Sequence, residues 1–270
     1  MPPLTIVTVT YNSSEVLGRL LASVHSPDIE TLVIDNGSQD CSLAVAATFP
    51  HVRVLQQGNI GYGRAANVGF REVHTPYALL VNPDLEISRE TIDQMLACME
   101  ANPDIGILGA NLTGEPAAGL TYVDWIVGAL MFIRMEALAQ VGSFDEQIFL
   151  FYEESDLCQR FMQAGWRLAV LQSAQATHDV GTSSSESDRV LKIKSWHMAW
   201  SKCYYYRKHF STGRYARKCL IKIMASVFRT VKALFTGNPR RVVNHAYELL
   251  GVVAFLCGMG AFKNGVGRLT

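Results

Sequence analysis

Two carboxylates one residue apart, Asp84 and Glu86, close the apolar run Tyr77-Ala78-Leu79-Leu80-Val81-Asn82-Pro83. A buried strand that ends this way delivers acidic oxygens to the edge of a sheet, where a divalent cation and its phosphates can meet them. Further along, Phe149-Leu150-Phe151-Tyr152 leads into Glu153-Glu154-Ser155-Asp156. Like charges crowded beside an apolar run raise the pKa of whichever carboxyl is partly buried, which suits a general base. One cluster could hold a metal while the other holds a base, so the chain reads as an enzyme. Each cluster also has a plainer reading. Strand-end acids cap turns, and acids at a helix N-terminus are favoured by the helix dipole, a role that fits Asp156. His178 follows a short strand and precedes Asp179 and a glycine. It is a candidate metal ligand, set against the more common packing or surface role.

Gly61-Tyr62-Gly63-Arg64-Ala65-Ala66 matches G-x-G-x-x-A, with Asp84 about twenty residues on, the spacing of a dinucleotide fingerprint. It supports an alternative reading, an NAD(P)-dependent oxidoreductase using the Gly61/Gly63 loop. Against it, the motif sits on the third strand-helix unit, whereas the first carries Tyr11-Asn12-Ser13-Ser14 and no glycine. The same glycines also suit a tight loop in close backbone contact with a nucleotide.

The elements that must position these groups follow from periodicity. Residues 4–10, 31–35, 52–55 and 77–81 are short β-branched or apolar runs, each followed by turn residues or a helix start. Alternating strands and helices predict an α/β, doubly wound, mostly parallel sheet of the Rossmann type, with ligands at the carboxyl ends of its strands. Thr10, Asn12, Asp35, Asn36 and Asp84 all fall there. After a helix over about 90–101, strands are expected at 105–109, within 122–134 and at 167–171, with helices at 135–141 and 156–164. Segment 182–188 is polar and expected to be mobile, and helices dominate from residue 190.

Of the 270 residues 49% are hydrophobic, enough for a sizeable core, and the net charge of zero hides an asymmetry. Residues 202–270 hold 13 Lys/Arg against Glu248 alone, while the first 201 residues hold 11 against 23 Asp/Glu. Such a split suggests an acidic catalytic body, residues 1–210, with a helical basic extension, residues 211–270, that meets phosphate or lipid. Residues 215–235 place Leu220, Ile223, Met224, Val227, Val231 and Leu234 near one helix face, with cations around it. That face could lie on an anionic membrane surface or pack on the body. The six cysteines lack metal-type spacing and read as reduced thiols. A strand beginning by Leu4 leaves no room for a signal-peptide core. The longest apolar stretch, Leu249 to Phe262, is glycine-dotted and short of a spanning helix. The expected location is cytoplasmic, peripheral at the inner face of the plasma membrane, with no nucleic acid partner.

Thr8-Val9-Thr10-Tyr11-Asn12, Val33-Ile34-Asp35-Asn36-Gly37-Ser38, Asn59-Ile60-Gly61-Tyr62-Gly63 with Asn67, and Val81-Asn82-Pro83-Asp84 occur in the order typical of family 2 glycosyltransferases. Trp125-Ile126-Val127-Gly128-Ala129, Gly142-Ser143-Phe144-Asp145-Glu146 and Glu153 to Arg160 extend the resemblance, which is to the bacterial rhamnosyltransferase-like branch. The resemblance implies a GT-A fold and an inverting transfer from a dTDP- or UDP-sugar, with L-rhamnose the sugar. It implies a lipid-linked or oligosaccharide acceptor in cell-surface polysaccharide assembly, and Mg²⁺ or Mn²⁺ as cofactor. Thr10, Asn12, Asp35, Asn36, Gly61 and Asn67 match nucleotide-binding positions, and Asp84 and His178 match the metal or diphosphate site. Trp125 and Gly128 match the acceptor-side wall, and Glu154, or its neighbour Glu153, matches the catalytic base. The family more often has Asp at the base position, and this chain has Asn82-Pro83 where other branches place acids.

Overall fold

A computed structural model of the chain describes residues 3–26, 28–115, 117–178, 187–263 and 265–269. These group into two compact units, one of residues 1–144 with 154–184 and one of residues 145–153 with 185–270. The functional boundary expected at 210/211 therefore falls inside the second unit.

In the first unit, β1 (Leu4–Thr10), β2 (Glu30–Asp35), β3 (Val52–Gln56) and β4 (Tyr77–Val81) alternate with α1 (Leu17–Ser23), α2 (Ser42–Ala47) and α3 (Tyr62–Arg71). Every residue of β1 and β4 is buried, as strands covered by helices on both faces must be. Register sorts the side chains between those faces. Ile6 pairs with Leu79 in one core cluster, which takes in Ile92, Met95 and Met99 of α4 (Arg89–Ala101). Val7 pairs with Leu80 in the other, with Leu157 and Phe161 of α6 (Glu153–Gln163). Fully burying one such leucine contributes about 1.5–3 kcal/mol.

The sheet order is β3-β2-β1-β4-β8-β6-β9-β5, with β7 (Leu120–Val123) also on β9 (Arg167–His178). The run β3-β2-β1-β4 is parallel throughout. β8 (Leu130–Arg134) then runs antiparallel to β4 and to β6 (Ile105–Asn111), followed by the short α5 (Met135–Val141). The doubly wound α/β expectation holds, and the chain reverses direction across the sheet at β1 and β4. Three boundaries differ from the periodicity reading. α6 begins at Glu153, so the acidic cluster is its first turn; β9 extends to His178; and the three-residue β5 (Leu85–Ile87) follows Asp84 directly.

The second unit is built on α7 (Asp188–His209), α8 (Thr212–Phe235) and α9 (Pro239–Leu256), closed by a hairpin of β10 (Phe262–Lys263) and β11 (Val266–Gly267). Ser187 caps α7 and Asn238 caps α9, the latter with proline at the first helical position. Trp196, Trp200, Cys203, Cys219, Val252 and Phe255 form its core. Lys222 Nζ of α8 lies 2.8 Å from Glu248 Oε2 of α9. The apolar stretch 249–262 is not one helix, because α9 stops at Leu256 and Trp200 Nε1 donates to Met259 O at 2.7 Å beyond it. Among the described residues no helix is long and apolar enough to cross a membrane. Ser187 and Asp188 of the expected polar segment start α7, and residues 182–186 lie outside the described residues.

Candidate active site

In an open α/β sheet a ligand binds outside the strand ends where the winding changes direction, which here is between β1 and β4. Thr10 and Asp35 are register partners at the ends of β1 and β2. Both are buried, at 0% and 3% exposure. Asp35 Oδ2 accepts from the Gly37 and Ser38 amides at 3.3 and 3.2 Å. Its Oδ1, like Thr10 Oγ1, has no hydrogen-bond partner among the described residues. Buried polar atoms are normally satisfied, so this adjacent pair offers capacity to an incoming polar ligand.

Asn12 and Asn36 do something different. Asn12, at φ 53°, donates its amide N–H to Ser38 Oγ and accepts from Gln39 N at 2.7 Å. Asn36 Oδ1 accepts from Ile60 N at 3.0 Å, and its Nδ2 donates to Asn59 Oδ1 at 3.3 Å. The loops after β1, β2 and β3 are thereby stitched into one floor. Gly61 sits in this floor as the N-cap of α3, at φ 91° and ψ 157°, a conformation that favours glycine. Its amide donates to the same Asn59 oxygen at 3.3 Å.

Asn67 is engaged within the fold. Its Nδ2 donates to Phe144 O at 2.9 Å and its Oδ1 accepts from Phe144 N at 3.0 Å, with the residue 3% exposed. The amide thereby clamps the loop after α5. The glycine fingerprint is corrected. It caps a helix that follows β3, the edge strand of the sheet, whereas a dinucleotide pyrophosphate sits at the first strand-helix turn beside the switch point.

Asp84, 5% exposed, follows β4 in a tight turn closed by Leu85 N donating to Asn82 O at 3.2 Å. Leu85 is the register partner of His178, so the β9 backbone at His178 runs beside the residue next to Asp84. Glu86 turns away to an exposed ion pair with Arg19 at 3.1 Å. A single buried carboxylate is a hard oxygen ligand, as Mg²⁺ or Mn²⁺ takes. Among the described residues no group of three or more His, Cys, Asp or Glu gathers to cage an ion. That donor set fits a cation that brings phosphate and water for its remaining positions.

Glu154 lies on the first turn of α6, in contact with the 125–128 loop. A Cβ built on Gly128 would stand 3.3 Å from Glu154 Cβ and 3.4 Å from its Cγ, so glycine leaves the carboxylate its room. Ser155 Oγ donates to Glu154 Oε1 at 3.0 Å. Burial pushes the Glu154 carboxyl above the ordinary glutamate range, against the pull of hydrogen bonds at the helix start and from Ser155 and Trp125. A carboxylate so raised is a better proton acceptor near neutral pH. Trp125 itself is 49% exposed, an open aromatic beside the carboxylate.

The two acidic regions are joined by a residue that the sequence reading passed over. Tyr62 donates its hydroxyl to Asn82 Oδ1 at 3.0 Å and reaches Gly128 O at 3.4 Å. Asn82 N also donates to Ala129 O at 2.9 Å. The turn that carries Asp84 is thus tied to the loop against which Glu154 packs. The other acids of the cluster have separate places. Asp156 is fully buried and accepts from Arg160 Nε at 2.8 Å, and Arg160 in turn holds the carbonyls of Val141, Gly142 and Ser143. That is structural work. Glu153, 7% exposed, groups with the second unit. Before it, Phe151 and Tyr152 both take φ near +66°, a conformation that costs bulky residues about 1–2 kcal/mol each.

The chain is similar in sequence and fold to known glycosyltransferases. The family model described as glycosyl transferase family 2 matches residues 5–162. The N-acetylglucosaminyl-diphospho-decaprenol L-rhamnosyltransferase of Mycobacterium tuberculosis (strain H37Rv) is 28% identical over 233 residues, 65% of this chain and 75% of that protein. Rhamnosyltransferase WbbL of Escherichia coli K12 is 22% identical over 254 residues, 77% of this chain and 95% of that one. Among solved structures, the mannosyltransferase PcManGT of Pyrobaculum calidifontis, in complex with GDP-Man and Mn²⁺, superposes with a TM-score of 0.61. It is 16% identical, and the match covers 94% of this chain and 87% of that one.

Proposed function

Because the chain belongs to glycosyl transferase family 2 and is a glycosyltransferase, we propose that it moves a sugar from a nucleoside-diphosphate donor to a hydroxyl of a lipid-linked glycan, with inversion. L-rhamnose is the sugar suggested by the M. tuberculosis and E. coli relatives, and we take a dTDP- or UDP-sugar as its donor. A lipid-linked acceptor is suggested by the name of the first, and cell-surface polysaccharide assembly is the setting we infer for it. The observation that carries the reading is the path from the Asp84 turn through Tyr62 and Gly128 to Glu154. It supports a reading in which an acid suited to phosphate chemistry and a carboxylate raised for proton removal serve one reaction centre.

Thr10 and Asp35 take the base and ribose through their spare buried atoms, on the floor that Asn12, Asn36 and Gly61 shape. Asp84 is the protein ligand for Mg²⁺ or Mn²⁺, with His178 the candidate second. When bound, such an ion neutralises charge that develops on the departing diphosphate. Glu154 removes the proton from the acceptor hydroxyl, and the oxygen displaces the nucleotide from the opposite face of the anomeric carbon. A single displacement inverts that centre, with no sugar bound to the protein between steps. Trp125 forms the open wall along which the acceptor lies. The basic residues 211–270 hold the enzyme at the cytoplasmic face of the membrane where such acceptors reside.

The test is a pair of substitutions. Asp84→Ala abolishes the Mn²⁺-dependent part of dTDP or UDP binding in a calorimetric titration, while Glu154→Gln keeps that binding and loses about 10²–10⁴-fold in transfer. Unchanged metal dependence in the first, or near-normal transfer in the second, removes the corresponding assignment.

A further inference from the structure

We propose that α8 is an in-plane membrane anchor, its outward apolar face sunk among the lipids and its flanking cations set against anionic headgroups. This deepens the reading of the acceptor as lipid-linked and rests on it only for its purpose. The surface itself is argued from α8.

The helix is inside out in residue size. Its inward positions are small: Cys219, Ser226 and Ala233 are 4%, 0% and 4% exposed. The large apolar side chains point outward, with Leu220, Met224, Phe228, Val231 and Phe235 at 57%, 63%, 69%, 45% and 88% exposure. A helix that only packed on a protein core would bury its large residues and expose polar ones. At 3.6 residues per turn these outward residues, with Ile221, Val227 and Leu234, cover one continuous arc. Monomeric soluble proteins rarely leave so large an apolar patch uncovered. Of the stripe expected from periodicity, only Ile223 turns inward, packing on the second unit's core.

Charge selects the occupant. The helical repeat puts Lys218, Arg229 and Lys232 along one border of the arc, between it and the buried side. Lys222 is taken by Glu248, the one acid of residues 202–270. A second copy paired symmetrically through α8 would bring the same cations against each other, with Glu248 already taken. An anionic bilayer offers both things this surface lacks, an apolar medium and a layer of phosphates. α9 adds exposed Leu250, Val253 and Leu256 near its end.

Sedimentation of the full chain with phosphatidylcholine vesicles, with and without phosphatidylglycerol, tests this. The chain is expected to pellet with the phosphatidylglycerol vesicles, and less so as salt rises. Met224→Glu with Phe228→Glu lowers partitioning by about tenfold or more. Arg229→Gln with Lys232→Gln weakens binding to the anionic vesicles alone. Both pairs are exposed, so the fold is checked by circular dichroism and the nucleotide site by dTDP titration. Loss of dTDP binding in the unaltered chain would instead count against the transferase reading. The proposal is overturned if the chain stays in the supernatant with anionic vesicles, or binds both vesicles equally. It is also overturned if the face proves to be a dimer interface that Met224→Glu with Phe228→Glu dissociates.

Discussion

Gly128→Ala is the most discriminating small change at the site. Gly128 is not among the residues with positive φ, so alanine fits the backbone and any destabilisation from conformation is small. The added methyl would lie 3.3 Å from Glu154 Cβ and 3.4 Å from Cγ. Carbon atoms settle at roughly 3.5–4.0 Å, so the carboxylate must retreat by about 0.3 Å. Misplacing a reacting group by about 1 Å costs roughly a hundredfold, which scales to about a fourfold loss in kcat. Valine at the same position reaches further and costs more. The assay is steady-state transfer with separate kcat and acceptor KM, alongside thermal melting and dTDP titration, both of which should stay unchanged. An unaltered kcat with a raised acceptor KM would refute the reasoning. It would mean that the space over Gly128 admits the acceptor and does not set the position of Glu154.

Four further outcomes follow from the structure. Transfer should fail on the acid side as Glu154 takes up a proton, at a pH above the ordinary glutamate range because burial raises this carboxyl. Trp125→Phe, which removes a hydrogen bond to the ionised form, should move that limb higher still in a pH profile of kcat/KM. Tyr62→Phe keeps the ring and cuts the link between the Asn82 turn and the Gly128 loop. It should lower kcat while leaving donor binding intact, at a stability cost of about 1 kcal/mol in urea unfolding. Glu248→Gln strands Lys222 in a mostly buried pair and should cost about 2–3 kcal/mol, below the full range for deeply buried pairs. Burial alone would raise Glu248, but Lys222 outweighs it and holds the carboxyl below its usual value. That contribution is present above the unfolded-state pKa and is lost as pH falls through the lower folded value, so the variant's melting temperature should lose this acid dependence.

The strands that build the parallel half of the sheet were legible because β-branched runs closed by polar residues have few other solutions. The placement of Asp35, Thr10 and Asp84 at strand ends was legible for the same reason. The direction of α8's apolar face was not, because a 3.6-residue stripe looks the same whether it points inward or outward. The start of α6 was also hidden, as acids in a first helical turn resemble acids in a loop. β9 was expected to end near Leu171, because Gln172, Ser173, Gln175 and Thr177 dilute its apolar pattern. The parts played by Tyr62, Arg160 and Asn67 depend on partners tens of residues away, and local spacing carries no record of those.

The stitched loops under Thr10 and Asp35 have a consequence for selectivity. A pocket base already assembled before anything arrives spends no binding free energy on being ordered. If this is where the proposed donor binds, what decides between guests is whether they can complete the hydrogen bonding of two dry oxygens. Under the proposed role, a nucleobase or ribose analogue that lacks the right donor would leave Asp35 Oδ1 and Thr10 Oγ1 unmatched away from water, and rejection would come from that unmet hydrogen bonding more than from a poor shape fit.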